Sequence, residues 1–245
     1  MKFHFDQVGR FIAPLQALRD LNDSLHLVFT RSTCRATVVD TAHVSLSFVT
    51  WICSSDDVSD ATDIHATVRI SSILTALALS SETRDPFTIS LESSDSDVMG
   101  IMLDGDATEV NLRLLTSDGE SIDVPSYDQA FRIQLDSHRV RDVFRELSTI
   151  GDTVSFSVDA DEVTMLTVGD IATARIRLKP VSITNPNSIG PISVSLRYLN
   201  SVMKSHGISP VILISIVDGM PLRLEIRSDD VGIVSYIAPK IDDDT

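Results

Sequence analysis

The feature that most constrains the fold is an order of elements that runs through the chain twice: short strands broken by two helices, then the same plan again. Apolar and polar residues alternate, with many β-branched side chains, over Leu25–Thr30, Ala36–Val39, His43–Trp51, Phe87–Leu91, Val98–Leu103 and Glu109–Leu115. The same alternation returns over Phe131–Leu135, Thr153–Val158, Glu162–Val168, Ala172–Leu178, Val211–Ile216, Leu222–Ile226 and Gly232–Ile237. A period of two sends one face to the core and the other to solvent, as in half-buried antiparallel strands. Four segments follow the helical period instead: Val8–Leu21, Ser72–Leu79, Ser137–Leu147 and Ser195–Lys204. In the third, Val140, Val143, Phe144 and Leu147 form one apolar stripe, and Ser137 is the expected N-cap. Arg19-Asp20-Leu21 closes the first helix as Arg145-Glu146-Leu147 closes the third. The chain therefore reads as a tandem duplication of a strand–helix–meander–helix–meander unit, an α+β fold. The expected domains are 1–115 and 129–245, joined by an acidic connector over 116–128. Gly119 and Pro125 punctuate that connector, and Ile122, Val124 and Tyr127 make it more apolar than a solvated linker needs.

Composition narrows the function classes. Hydrophobic residues make up 43% of 245 residues, enough to bury a sizeable core. The longest apolar runs fall short of the roughly 18 residues a membrane helix needs. Met1-Lys2-Phe3-His4-Phe5-Asp6 alternates and lacks the basic-then-apolar plan of a signal peptide, so a soluble, intracellular protein is expected. Cys34 and Cys53 are expected as reduced, packed thiols, and no Cys or His stands at metal-ligand spacing. No cofactor is expected. The net charge of −15 speaks against nucleic-acid binding unless the basic residues are concentrated in one place. Only four lysines occur, so such a patch has to be built mostly from arginine.

Three stretches carry a family resemblance. Val39-Asp40-Thr41-Ala42-His43-Val44-Ser45-Leu46 resembles a D-x-x-H-V-S-L strand. Phe144-Arg145-Glu146-Leu147-Ser148-Thr149-Ile150-Gly151-Asp152 resembles a C-R-D-L-S-x-I-G-D segment. Leu196-Arg197-Tyr198-Leu199-Asn200 pairs with the closing Tyr236-Ile237-Ala238-Pro239-Lys240-Ile241 and its acidic tail. Together they resemble proliferating cell nuclear antigen, the eukaryotic and archaeal DNA sliding clamp family. The resemblance runs over the whole chain, weakest across 52–108 and with a shortened loop at 181–190.

The resemblance implies a ring-forming DNA clamp: a homotrimer of two-domain subunits, sheets outside, helices lining a central channel around duplex DNA. The candidate DNA-binding residues are Arg10, Arg19, Arg141, Arg145, Arg197 and Lys204, placed on helix faces opposite the apolar stripes. Phosphate contacts of this kind hold DNA without reading its sequence. The implied subunit interface pairs Glu109–Leu115 with Ala172–Leu178 of the next subunit, through Val110, Leu112, Leu114, Ile176 and Leu178. Such pairing would cover two open strand edges. This chain also departs from the family. Ile12, Ala13, Ser72 and Thr75 stand where lysines are common, Pro14 falls inside the first helix, and Ala160 lies near the family's modified lysine. A less positive channel is expected, with topology as the main tether.

The resemblance further implies a groove that takes a short peptide with one apolar helical turn. Its residues here are Val39, His43, Val44, Leu46, Ile122, Val124, Tyr127, Pro221, Tyr236, Ala238 and Pro239. The implied partners are DNA polymerase, clamp loader, flap endonuclease and ligase type proteins, in the nucleus if the source is eukaryotic, otherwise in a cytoplasm or viral replication site. A subunit of a heterotrimeric checkpoint or paralogous clamp is the nearest alternative. Asp40-Thr41-Ala42 also resembles an aspartic-protease turn, but that chemistry needs two facing carboxylates and the second half offers no counterpart. With no nucleophile elbow, P-loop or dinucleotide fingerprint, the expectation is a scaffold and not an enzyme.

Overall fold

The computed structural model describes residues 1–56, 63–93, 96–103, 107–116, 127, 130–159, 162–184 and 189–240. It divides into two compact units. Unit 1 comprises Met1–Thr41, Ser47–Ile122 and Ser228–Ile233; unit 2 comprises Ala42–Leu46, Asp123–Arg227 and Val234–Thr245.

Along unit 1 run β1 (Lys2–Phe5), α1 (Val8–Arg19), β2 (Ser24–Phe29), β3 (Thr33–Val39), β4 (Ser45–Ile52), β5 (Ser54–Ser55) and β6 (Ile64–Arg69). Then come α2 (Ile70–Leu77), β7 (Phe87–Ser90), β8 (Val98–Leu103) and β9 (Thr108–Arg113). Unit 2 repeats the order with β10 (Phe131–Asp136), α3 (Ser137–Leu147), β11 (Thr153–Asp159), β12 (Glu162–Val168), β13 (Thr173–Leu178), β14 (Ser182–Thr184) and β15 (Ile189–Ser195). It closes with α4 (Leu196–Val202), a 3-10 helix over Met203–Ile208, β16 (Val211–Ile216), β17 (Leu222–Arg227) and β18 (Val231–Ile237). The topologies match as well. In unit 1 the strands run β5-β1-β7-β8-β9 and β4-β3-β2-β6, and in unit 2 β14-β10-β16-β17-β18 and β13-β12-β11-β15. The tandem α+β plan inferred from the alternation is thus the observed one.

The strands alternate buried and half-buried residues, as their period demands, and the helices turn their apolar stripes to the same cores. The cores are chemically different. Unit 1 packs an aromatic cluster in which Phe11 lies 4.5 Å from Trp51, 4.9 Å from Phe5 and 5.2 Å from Phe87 between ring centres. Unit 2 is mainly aliphatic, with Val140, Val143, Ile212, Ile214, Leu222, Leu224 and Ile226 buried. Its Phe144 and Phe156 rings stand 6.1 Å apart.

Several local expectations change. Asp136, not Ser137, caps α3: its carboxylate accepts from the Arg139 N–H at 2.7 Å. Ser137 is buried and donates to the Ser209 and His206 carbonyls, tying α3 to the 3-10 turn. His43 and Val44 precede β4, and His43 holds φ 56°, a left-handed conformation that ends any strand reading there. Pro14 neither ends nor shortens α1. It removes the N–H that would bond Arg10 and sits buried in the core face. The fourth helix is shorter than expected, and Lys204 lies on the 3-10 turn. Gly169 answers a close approach: a Cβ there would stand 1.8 Å from the Ile150 carbonyl oxygen, so the turn after α3 requires glycine at this site.

Candidate functional site

In unit 1 the outward face of the two helices is nearly uncharged. Arg10 is half-buried and pairs with Asp230 at 3.5 Å, leaving Arg19, exposed in the last turn, as the other basic residue of α1. α2 has no charged residue in its Ile-Ser-Ser-Ile-Leu-Thr-Ala-Leu sequence. Its first turn is instead held by an acid: Asp23 accepts from the Ser71 N–H and the Ser71 hydroxyl, both at 2.8 Å. Ser72 is half-buried and Thr75 exposed, with its hydroxyl turned back to the Ser71 carbonyl.

Unit 2 presents a different surface. Arg145 and Arg197 are exposed, and the Arg197 guanidinium lies 5.7 Å from the centre of the Tyr198 ring. Lys204 is exposed on the 3-10 turn. Arg141 is clamped. It donates twice to Asp142, at 2.9 and 2.7 Å, and its Nη1 donates to His206 Nε2 at 2.8 Å. Since arginine only donates, His206 is the neutral tautomer, with its Nδ1–H on the Met203 carbonyl at 2.9 Å. Burial is the main cause holding His206 below its ordinary value, and the charges of Arg141 and His138 add to it. The bond from Arg141, helped by the charges of Arg145 and Arg139, keeps the Asp142 carboxyl low. The motif residue Asn200 locks the two helices together, donating to Ser148 Oγ at 2.6 Å.

Three residues of this face were not among the sequence candidates: His138, Arg139 and His206. His138 packs edge-on against His206 at 4.9 Å, and Arg139 pairs with Glu146 at 3.5 Å. The Arg139-Val140-Arg141 spacing was a readable signal for the second. The 3-10 turn that brings His206 back to α3 has no such signal.

The groove residues of unit 2 converge in part. Val44 O accepts from the Ala238 N–H at 2.8 Å, bringing the turn after His43 against the C-terminal segment. His43 is exposed, and Val44, Leu46, Pro221, Tyr236, Ala238 and Pro239 are half-buried. Tyr127 is turned inward. It is buried, its hydroxyl donates to the Pro221 carbonyl at 2.7 Å, and its ring stands 5.5 Å from that of Tyr236. Burial first, then Tyr236, pushes its phenol up to about 12, so it remains a donor. Arg223, paired with Glu225 at 2.7 Å, donates to the Tyr236 hydroxyl at 3.3 Å. Val39 belongs to unit 1, where its carbonyl accepts from Asn22 at 3.2 Å. Ile122 and Val124, with Ala160, lie outside the described residues.

Among the described residues the expected interface strands are both edges: β9 pairs with β8 and ends one sheet, and β13 pairs with β12 and ends another. Val110, Leu112, Leu114 and Ile176 are half-buried, and Leu178 is buried. Beside β9, the residues Ala76, Leu79, Val110 and Leu112 line an open apolar hollow of about 320 Å³ with Ser71, Ser72 and Thr75. Asp40 is only 4% exposed, at the end of β3, where a substrate would not reach it. Cys34 and Cys53 are free and buried, and burial holds both as thiols, Cys53 at about 11.

Residues 123–241 match the family model of the proliferating cell nuclear antigen C-terminal domain. Proliferating cell nuclear antigen 1 of Plasmodium falciparum, from isolates K1 and 3D7, is 27% identical over 56% of this chain. The match takes in 58% of the length of those relatives. The crystal structure of proliferating cellular nuclear antigen from Entamoeba histolytica superposes with a TM-score of 0.87 at 18% identity, covering 98% of each chain.

Proposed function

We propose that this chain, whose residues 123–241 match the proliferating cell nuclear antigen C-terminal domain and whose fold matches that family's over nearly the whole length, is a sliding clamp subunit. Three copies close into a ring around duplex DNA and hold replication and repair proteins to it. The observation that carries this reading is the family match itself, which includes α3, α4 and their basic residues.

The strand edges support ring closure. In repeat order β9 corresponds to β18 and β13 to β4. Bonds of this kind occur within each unit, from Ala238 N–H to Val44 O in unit 2 and from Ile52 N–H to Asp230 O in unit 1, each 2.8 Å. The same pairing between β9 of one copy and β13 of the next would close a head-to-tail ring and bury Val110, Leu112, Leu114, Ile176 and Leu178. DNA contact falls to Arg10, Arg19, Arg141, Arg145, Arg197 and Lys204. Because Arg10 and Arg141 are already paired, attraction is weak and encirclement is the main tether.

Clamps of this family are not enzymes, and the same holds in this reading: the chain is a scaffold. The patch around His43, Val44, Leu46, Pro221, Tyr236, Ala238 and Pro239 takes the apolar anchors of partner peptides, with Tyr127 as its buried support. In a eukaryotic cell the site of action is the nucleus. The test is primer extension on a closed circular template with a polymerase and a clamp loader. Longer products that depend on both loader and clamp are expected. Product length unchanged by the protein would remove the reading.

A further inference from the structure

Far along the sequence from the basic helices, the sheet of unit 1 holds two histidines side by side. His26 on β2 and His65 on β6 occupy adjacent strands, where His26 faces Thr67 and Val28 faces His65 in register. Their ring centres are 5.4 Å apart with planes inclined by 29°. His26 Nε2 lies 3.2 Å from His65 Nδ1, while His26 Nδ1 bonds the hydroxyl of Thr67 at 3.0 Å. His26 is half-buried and His65 exposed, so the pair opens to solvent; Thr67 beneath is buried.

We propose that His26 and His65 form a two-imidazole site for a late first-row transition ion of the zinc, nickel or copper class, with Thr67 as the residue that orients His26. Two nitrogens bound to one zinc at the usual length of about 2.0–2.1 Å and a tetrahedral angle stand about 3.3 Å apart. The observed 3.2 Å is that span. Without metal the two nitrogens share one proton in an N–H···N bond. With metal both lone pairs turn to a common point, which takes rotation about χ2, a broad torsion in histidine. Both imidazoles bind as neutral rings, so the ion replaces a hydrogen bond and not a charge.

The surroundings favour this chemistry. The Thr67 hydroxyl on Nδ1 leaves Nε2 of His26 directed at its neighbour, the outer-shell arrangement common to ligating histidines. Arg35, opposite Val28 on the next strand, is drawn to Asp63 at 3.7 Å. Among the described residues no group of three or more metal-binding side chains occurs. Two imidazoles leave further positions on such an ion for water or for a ligand from another molecule.

The experiment is a calorimetric titration of Zn²⁺ into the intact protein in a non-coordinating buffer at pH 7.5. One ion per chain is expected. Both His26→Asn and His65→Asn should weaken binding at least about tenfold, and Thr67→Val should do so to a similar or smaller extent. His138→Asn, in the other histidine pair, should leave it unchanged. Cu²⁺ bound to the wild type should show splitting from two nitrogens in its electron paramagnetic resonance spectrum. Absence of Zn²⁺ uptake by the wild type, or uptake undiminished in a His65→Asn variant whose circular dichroism matches the wild type, would overturn the site.

Discussion

α1 and α2 of unit 1 carry two arginines between them, one of them paired with Asp230. α3, α4 and the 3-10 turn of unit 2 carry Arg139, Arg141, Arg145, Arg197 and Lys204, with His138 and His206 among them. Strand order and helix placement are the same in the two units. Duplication thus preserved the backbone plan, whose requirements are period and capping, while the solvent faces and the cores diverged. Unit 1 concentrates aromatic rings inside and presents a sparsely charged α1 and an uncharged α2; unit 2 is mainly aliphatic inside and more basic outside.

The contrast in the cores gives the largest expected effect. Phe11→Ala removes the ring at the centre of the unit 1 aromatic cluster and should cost about 3–5 kcal/mol, whereas Ile214→Val in unit 2 should cost about 0.5–1.5 kcal/mol. Urea unfolding followed by circular dichroism would read both. Comparable losses from the two would end the claim that the cores differ in kind.

Charge reversal tests the outer faces. Arg145→Glu with Arg197→Glu should weaken duplex binding at least about tenfold at low salt and flatten the log–log salt dependence by about 2. Arg19→Glu should change affinity by less than about threefold, as expected of a single exposed charge screened by water. The reverse experiment sharpens the comparison. Ser72→Lys with Thr75→Lys puts charge on the neutral α2 and should steepen the salt dependence by up to about 2. Fluorescence anisotropy over a salt series measures all three.

Acidity should separate the units more gently. His206 has its proton affinity lowered, chiefly by burial and then by Arg141 and His138, against the raising pull of the Met203 carbonyl and Asp142. The groups facing it are those of α3; β17 turns the buried Leu222, Leu224 and Ile226 inward and keeps Arg223 and Glu225 less buried. The unfolded chain takes up this proton at about 6.5 and the folded chain only below that. His206 therefore supports stability fully above about pH 6.5, and that support is lost as pH falls through the lower folded value. A DNA phosphate favours the protonated ring, so affinity should rise modestly as pH falls from 7.5 to 5.5. His206→Gln should flatten that rise, and an equally steep rise in His206→Gln would place the effect elsewhere.

Much of the fold was legible because it depends on period. Val98–Leu103, Glu162–Val168, Val211–Ile216 and Ser137–Leu147 are observed with the bounds their patterns indicate. β6 and β15 were missed. Ile64–Arg69 reads buried-exposed-buried-buried-buried-exposed, so its alternation is broken, and Ile189–Ser195 carries Gly190 and Pro191. Exposure was legible where a residue stands alone, as with Arg145 and Arg197 on the outer helix faces. It was not legible where tertiary contact decides. Arg141 looked like its neighbour four positions on, yet Asp142 and His206 hold it. Tyr127 looked like a groove residue, yet its hydroxyl is committed to Pro221. The His26–His65 approach arises from strand register, which no local spacing encodes.

The central claim is that open edges β9 and β13 join copies of this chain into a closed ring of three. Sedimentation equilibrium at micromolar concentration tests it directly. A single species of about three times 26.8 kDa is expected, reduced toward the monomer when Ile176→Lys places a charge on the β13 edge. A wild-type chain that sediments as a 26.8 kDa monomer at that concentration would contradict it.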